Sequence, residues 1–206
     1  MRKQWNAEEK LSYERALQNA GCVNIAGVDE VGRGPLAGPV VCAAVIMPLD
    51  ADKIIVGVDD SKKLSAKKRE ELSEKIKETA ICYTIIEVDE KQIDEINILE
   101  ATRLGMKRAI ESLAVAPDTV LTDGNMTIDI AFKQKSVIHG DALSYSIGAA
   151  SIIAKVHRDK LMDEYAKIYP QYAFESNKGY GTAVHIQAIK EFGLCPIHRR
   201  TFTKNF

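Results

Sequence analysis

Short apolar runs of strand length alternate along the chain with longer stretches of helical spacing, an order that predicts an α/β protein. Residues 23–28 and 40–47 are two apolar, β-branched runs separated by Gly32-Arg33-Gly34-Pro35, which predicts a paired opening to a sheet. Residues 81–88, 119–122 and 136–139 read as further strands, the last two short. Ahead of the first strand, Asn6 and Glu9 make a capping-box start to a helix that stops at Gly21. Ser65 caps a charged segment in which Leu72 and Ile76 recur at helical spacing, and residues 99–113 form a helix that ends before Pro117. A long helical pattern runs from residue 142 to about residue 169, where Pro170 stops it, and its first half is rich in small residues that permit close packing. Thr182 opens a last helix ending at Gly193, followed by the basic segment Cys195-Pro196-Ile197-His198-Arg199-Arg200. The expectation is a single domain over residues 1–206, with about residues 170–206 packed as a small C-terminal helical appendage.

Composition narrows the function. The 206 residues are 46% apolar and 28% charged, an ordinary globular balance with a sizeable core. Lys plus Arg number 28 against 29 for Asp plus Glu, so the net charge of −1 rules out coating nucleic acid by bulk positive charge, and any such contact must be local. The longest nearly uncharged run, residues 35–49, holds three prolines and Gly38, too broken for a bilayer span. Met1-Arg2-Lys3-Gln4-Trp5 leads into charged Glu8, Glu9 and Lys10, unlike a secretory signal, so a cytoplasmic location without membrane contact is expected. Cys22, Cys42, Cys82 and Cys195 lie far apart without a Cys-x-x-Cys pair and are expected to be buried free thiols.

The informative chemistry is acidic. Asp29-Glu30 follows the first strand, Asp123 ends a later one and Asp141 precedes the long helix, and strand ends are where open α/β sheets gather their sites. Taken singly, each residue also fits a turn or cap, Asp141 as the N-cap of its helix. Taken together, four converging carboxylates repel unless cations lie between them, which suits Mg²⁺ or Mn²⁺. Two such ions can activate a water and stabilise the leaving oxygen of a phosphoryl transfer, so the residues point to a phosphodiesterase. Neighbours on a regular strand face opposite ways, so Asp29 and Glu30 share a site only if the backbone turns at once, which Gly32 and Gly34 would permit.

Gly32-Arg33-Gly34 reads either as a cradle for phosphate or sugar oxygens or as a glycine turn with a solvated arginine; Pro35 and the missing Gly-Lys-Ser/Thr ending count against a P-loop. Lys62, Lys63, Lys67, Lys68 and Arg69 concentrate positive charge ahead of and at a helix start, where either a phosphate partner or a solvated face accounts for them. Lys155, Arg158 and Lys160 read the same way, while Arg199-Arg200 either hold nucleic acid or pin the tail. Tyr180, between Gly179 and Gly181, is placed to stack on a sugar or base or to anchor its loop. His139, His157, His185 and His198 lack a partner at metal-binding helical spacing and receive no ligand role.

Several of these segments occur in one known order. Residues 27–40 (GVDEVGRGPLAGPV), Asp60-Ser61-Lys62-Lys63-Leu64, Thr122-Asp123-Gly124-Asn125, Gly140-Asp141 ahead of Ala149-Ala150-Ser151-Ile152-Ile153-Ala154-Lys155-Val156, and Asn177-Lys178-Gly179-Tyr180-Gly181-Thr182 closely resemble the bacterial ribonuclease HII family, over about residues 22–203. The resemblance implies a ribonuclease H-like fold, a mixed central β-sheet flanked by α-helices. It implies endonucleolytic hydrolysis of RNA in RNA/DNA hybrids and nicking on the 5′ side of single ribonucleotides in duplex DNA, leaving 3′-hydroxyl and 5′-phosphate ends. By the same resemblance Asp29, Glu30, Asp123 and Asp141 correspond to the catalytic carboxylates, holding two Mn²⁺ or Mg²⁺ ions. Gly32, Arg33 and Gly34 correspond to the loop that senses the ribose 2′-hydroxyl, Tyr180 to its stacking partner, and Lys62 to a phosphate contact. His139 stands where Lys is common in the family, and His157 where Thr is common. A monomer is expected, with ribonuclease HIII, which requires longer ribonucleotide stretches, as the near rival. A non-catalytic hybrid-binding module, its acids serving as caps, is the rival of another class.

Overall fold

The computed structural model describes residues 5–204; Met1 to Gln4, which enter the reading of the first residues, lie outside them. In chain order the helices and strands are α1 (Ala7–Lys10), α2 (Ser12–Asn19), β1 (Ile25–Val31), β2 (Val40–Ile46), α3 (Ala66–Thr79), β3 (Cys82–Val88), α4 (Glu90–Glu111), β4 (Thr119–Asp123), β5 (Lys133–Val137), α5 (Gly140–Leu143), α6 (Tyr145–Ile168), α7 (Phe174–Asn177) and α8 (Ala183–Phe192). The five strands form one sheet in the order β3-β2-β1-β4-β5. β1 and β2 pair antiparallel, as do β2 and β3, whereas β4 runs parallel to both β1 and β5, so the sheet is mixed as expected.

Alternation along β2 explains its uninterrupted apolar sequence. Val41, Ala43 and Val45 face a core shared with α3 and α6, while Cys42, Ala44 and Ile46 face a second core against Met106, Ala109 and Ile110 of α4. α6 crosses β1 closely enough that a Cβ at Gly27 would lie 2.1 Å from the Ser146 carbonyl carbon. Glu14 of α2, fully buried, accepts from the Ser144 hydroxyl (2.5 Å) and the Ser146 amide (2.9 Å), placing its carboxyl at the N-terminus of α6.

Several boundaries differ from the sequence reading: the first helix is two, broken at Leu11, β1 runs from Ile25 to Val31, and three others have a clear local reason. The helix expected at 99–113 begins at Glu90, because Asp89 caps it; Asn97 (φ 68°, ψ 164°) interrupts it and recaps the next turn, accepting from the Leu99 and Glu100 amides. The pattern from residue 142 is two helices, since extended Ser144 ends α5 and caps α6. β5 starts earlier, at Lys133, and ends at Val137; as an edge strand of Lys, Gln and Ser it carries little hydrophobic signal. The thiols depart as well: Cys42 is buried, but Cys22, Cys82 and Cys195 are only partly so, all four being free.

Candidate active site

Parallel pairing of β1 with β4 sets the carboxylates. The ladder ends at Val28↔Thr122, so Asp29 and Asp123 are the next residues on adjacent parallel strands, at the C-terminal rim of the sheet. The sharp turn expected between Asp29 and Glu30 does not occur: β1 stays in register with β2 through Val31↔Val41. Asp29 therefore lies on the α6 side and Glu30 on the opposite side, opposite Cys42. Both nonetheless feel the charge of Asp123, the residue next to Asp29 on the adjacent parallel strand. Asp123 Oδ1 accepts the Gly140 amide at 2.6 Å, which ties it to the short helix carrying Asp141. Asp141 is not an N-cap, as it had seemed free to be; left-handed His139 (φ 57°) holds that position and Asp141 sits buried in the first turn.

Electrostatics link the four acids through one of them. Burial pushes the Asp29 carboxyl well above the usual carboxylate range, and Glu30 and Asp123 push it further. Glu30 is raised by burial and by Asp123, against the pull of Arg33, whose Nη1 is 3.4 Å from Glu30 Oε1. Asp141 is raised by burial, Asp123 and Asp60, against Lys62, whose ammonium stands 3.5 Å from Asp141 Oδ2. Asp123 is thus the shared neighbour of the other three. Among the described residues, no three Asp, Glu, His or Cys side chains already close around a single point. The donor set is nonetheless all hard carboxylate oxygen, with a repulsion that Lys62 and Arg33 only partly offset, and that fits divalent cations. Two surface concavities, of about 480 and 260 Å³, lie away from these acids, of which Asp29 and Asp141 are buried.

Beside the rim, Gly32-Arg33-Gly34 leads out of β1, and its two glycines answer to different demands. Gly32 has φ 94°, and a Cβ there would meet the Arg158 side chain at 2.2 Å, so its requirement is internal. A Cβ on Gly34 would meet only the Tyr180 ring, at an ordinary 3.6 Å. Tyr180 itself is 45% exposed, as its flanking glycines led us to expect. Lys62 is also well exposed, though its ammonium faces Asp141.

Several charged residues singled out as surface cations are structural. Arg158 and Arg199 are fully buried, each donating to three backbone carbonyls. Arg69 donates to the Ser61 and Leu64 carbonyls, and Lys155 pairs with Asp159 at 2.6 Å. Arg158 was open to inspection: Ala154, Arg158, Met162 and Ala166 recur every four residues on the buried stripe of α6. Arg199 sits in an irregular segment with no such period.

The histidines form a feature that spacing did not reveal. The Cys195 amide donates to His198 Nδ1 (2.9 Å), so the His198 proton is on Nε2, which faces His185 Nε2 at 3.0 Å; His185 Nδ1 in turn donates to the Tyr180 carbonyl (2.9 Å). This neutral relay, packed on Tyr172 and Phe174, fastens the tail to the Tyr180 loop. Burial and the His185 neighbour pull the His198 pKa down to about 4. The unfolded chain therefore takes up a proton below pH 6.5 that the folded one refuses until about pH 4, so this contribution to stability is complete above pH 6.5 and lost as pH falls. Between pH 7.5 and 5.0, His198→Gln is expected to lose less stability than the parent in urea melts, by about 2 kcal/mol. Equal slopes for the two proteins would remove His198 from the acid response. His157 instead pairs with Glu87 at 2.6 Å on the surface.

A mixed five-stranded sheet with carboxylates at the ends of adjacent parallel strands is the architecture of the ribonuclease H type of nuclease. Among solved structures, the ribonuclease H2 from Pyrococcus horikoshii OT3 superposes with a TM-score of 0.74 and 28% identity over 88% of this chain and 94% of that one. Bst-RNase HIII in complex with Mn²⁺ shares the fold at a TM-score of 0.66 and 21% identity, covering 83% of this chain and 63% of that one. In sequence, the Ribonuclease HII of Ruminiclostridium cellulolyticum is 54% identical over 199 residues, 97% of this chain and 77% of its own. Residues 26–205 match the Ribonuclease HII family, and the chain belongs to it. It is accordingly a ribonuclease H, an endonuclease.

Proposed function

We propose that the chain hydrolyses the RNA strand of RNA/DNA hybrids and nicks duplex DNA on the 5′ side of single embedded ribonucleotides, leaving 3′-hydroxyl and 5′-phosphate ends, in ribonucleotide and RNA primer removal. The observation that carries this reading is the acidic rim: Asp123 at the end of β4, coupled to Asp29, Glu30 and Asp141. These four would hold two Mn²⁺ or Mg²⁺ ions, which when bound supply an activated water and charge neutralisation at the leaving oxygen. Support for the metal comes from the donor chemistry and from one structural neighbour, Bst-RNase HIII, solved with Mn²⁺. The chain's own groups orient the substrate. Lys62 and the loop at Arg33 meet phosphates, the Gly32-Arg33-Gly34 amides meet the ribose 2′-hydroxyl, and Tyr180 stacks at the RNA-to-DNA junction. With a net charge near zero, this local set does the holding, and the 2′-hydroxyl is what marks a lone ribonucleotide in DNA. The protein would act as a cytoplasmic monomer of one catalytic domain over residues 1–206, with about residues 170–206 contributing substrate contacts. Among the described residues no helix is long and apolar enough to cross a membrane.

The direct test is a duplex carrying one ribonucleotide, assayed with Mn²⁺ and with Mg²⁺. Nicking 5′ of the ribose is expected, and inertness toward this duplex alongside cleavage of a continuous hybrid would favour a type HIII enzyme. The loop has its own test in Gly34→Ala. Because the added methyl has room in the free protein, stability should stay within about 0.5 kcal/mol. KM for the single-ribonucleotide duplex should rise roughly tenfold, equal to about 1.4 kcal/mol of lost contact. An unchanged KM would remove the loop from ribose recognition.

A further inference from the structure

Arg199 and Arg158 have no salt-bridge partner within 4 Å among the described residues, although both are buried to 0% exposure. Carboxylates act on them only at longer range, Asp94 and Glu90 on Arg199 and Asp159 on Arg158, and burying a guanidinium without a close counter-charge costs more than filling the same space with an apolar side chain, so packing alone gives no reason for either. What each gains is carbonyls. Arg199 donates to Gly32 (2.6 Å), Arg33 (2.9 Å) and Gly38 (2.9 Å), and Arg158 to Ala37 (3.1 Å), Pro39 (3.0 Å) and Lys178 (2.9 Å). The two planar forks thus hold both ends of the loop after β1, and Arg158 joins that loop to the segment leading to Tyr180.

The orientation matters for the amides. In a trans peptide the N–H points opposite to the carbonyl of the same unit, and the chain has no cis peptide. Drawing the Gly32 and Arg33 carbonyls onto Arg199 therefore turns the Arg33 and Gly34 N–H groups away from the interior. Neither amide makes a hydrogen bond to the described residues. Successive outward N–H groups of this kind form a fixed acceptor site for oxygen, and two consecutive carbonyls held by one rigid guanidinium cannot flip to spoil it.

We propose that Arg199 is a positioning residue for substrate specificity: it presets the outward amides of Arg33 and Gly34 so that a single ribose hydroxyl is recognised without reorganisation of the loop. The proposal rests on the reading that this loop meets the ribose. Lys at position 199 keeps the charge but loses the planar fork, and Ala loses both.

The experiment measures kcat and KM of Arg199→Lys and Arg199→Ala on a duplex with one ribonucleotide and on a continuous RNA/DNA hybrid, alongside thermal melts. A continuous hybrid offers a ribose in every register, so a loosened loop harms it less. The expected result is at least a tenfold fall in the ratio of kcat/KM for the single-ribonucleotide duplex over the hybrid, carried mainly by KM, and partial recovery of that ratio in Arg199→Ala with added methylguanidinium. A ratio that stays constant while both activities fall with melting temperature overturns the proposal. If both variants melt below the assay temperature, amide order parameters of the free parent protein decide: values near 0.85 at Arg33 and Gly34 support a preset loop, and values below 0.6 overturn it. Gly34→Ala separates the two readings. If it shifts the ratio while the Arg199 variants do not, only the positioning role fails; if it too leaves the ratio unchanged, ribose sensing by the loop fails first.

Discussion

Asp123→Asn is expected to abolish turnover, by roughly three orders of magnitude or more, about 4 kcal/mol of transition-state stabilisation, while making the protein harder to melt. Both effects follow from Asp123 being the shared neighbour of the acidic rim. Its charge helps raise the carboxyls of Asp29, Glu30 and Asp141, which measures the repulsion stored there without a cation. Asn is nearly isosteric and its carbonyl oxygen can still accept the Gly140 amide, so the fold keeps its link to α5. Relief of like-charge repulsion should add roughly 1 kcal/mol, seen as a rise of about 2–4 °C in melting temperature in the presence of a chelator. Adding Mg²⁺ or Mn²⁺ should raise the melting temperature of the parent and raise that of the variant less, since one donor is gone. A variant that melts lower with chelator than the parent, or that keeps its turnover, would remove Asp123 from the centre of the site.

The largest expected loss of stability belongs to Gly27→Ala. The new methyl would stand 2.1 Å from the Ser146 carbonyl carbon, 2.3 Å from its oxygen and 2.4 Å from the Ile147 nitrogen. All three are backbone atoms in the first turn of α6, which no rotamer change can clear, so the helix has to move off the sheet. The cost should be at least about 3 kcal/mol, or roughly 6–12 °C in melting temperature, and activity should fall with it because α6 also carries Ser151 beside Asp29. A melting temperature within about 2 °C of the parent would show that this crossing is far softer than its geometry.

Much of the fold was legible in the chain because its signals are local. The apolar runs of β1 and β2, the Ser65 and Thr182 caps, and the stop at Gly193 all act within a few residues, and the structure has them close to where they were read. The first half of β5 escaped because an edge segment of Lys, Gln and Lys has no hydrophobic period, and the break at Asn97 because a single left-handed residue leaves no mark on periodicity. For the candidate site, residue chemistry singled out the four acids, but the adjacency of Asp29 and Asp123 depends on parallel pairing across nearly a hundred residues, which no local rule supplies. The sequence reading required a turn at Asp29-Glu30 for the two to share a site, whereas β1 continues as a regular strand through both and sets them on opposite faces. The actual roles of Arg199, His185 and His198 were out of reach because their partners are backbone groups or each other, met only in the folded chain.

The guanidinium that fastens the loop after β1 comes from 167 residues further along the chain than Gly32. During synthesis all five strands and all four acids are therefore made before the residue that fastens the loop. A nascent or clipped chain ending short of Arg199 would carry the whole acidic rim but lack the contacts to the Gly32 and Arg33 carbonyls, so that part of the loop depends on a long-range contact made by the last segment of the chain to be synthesised.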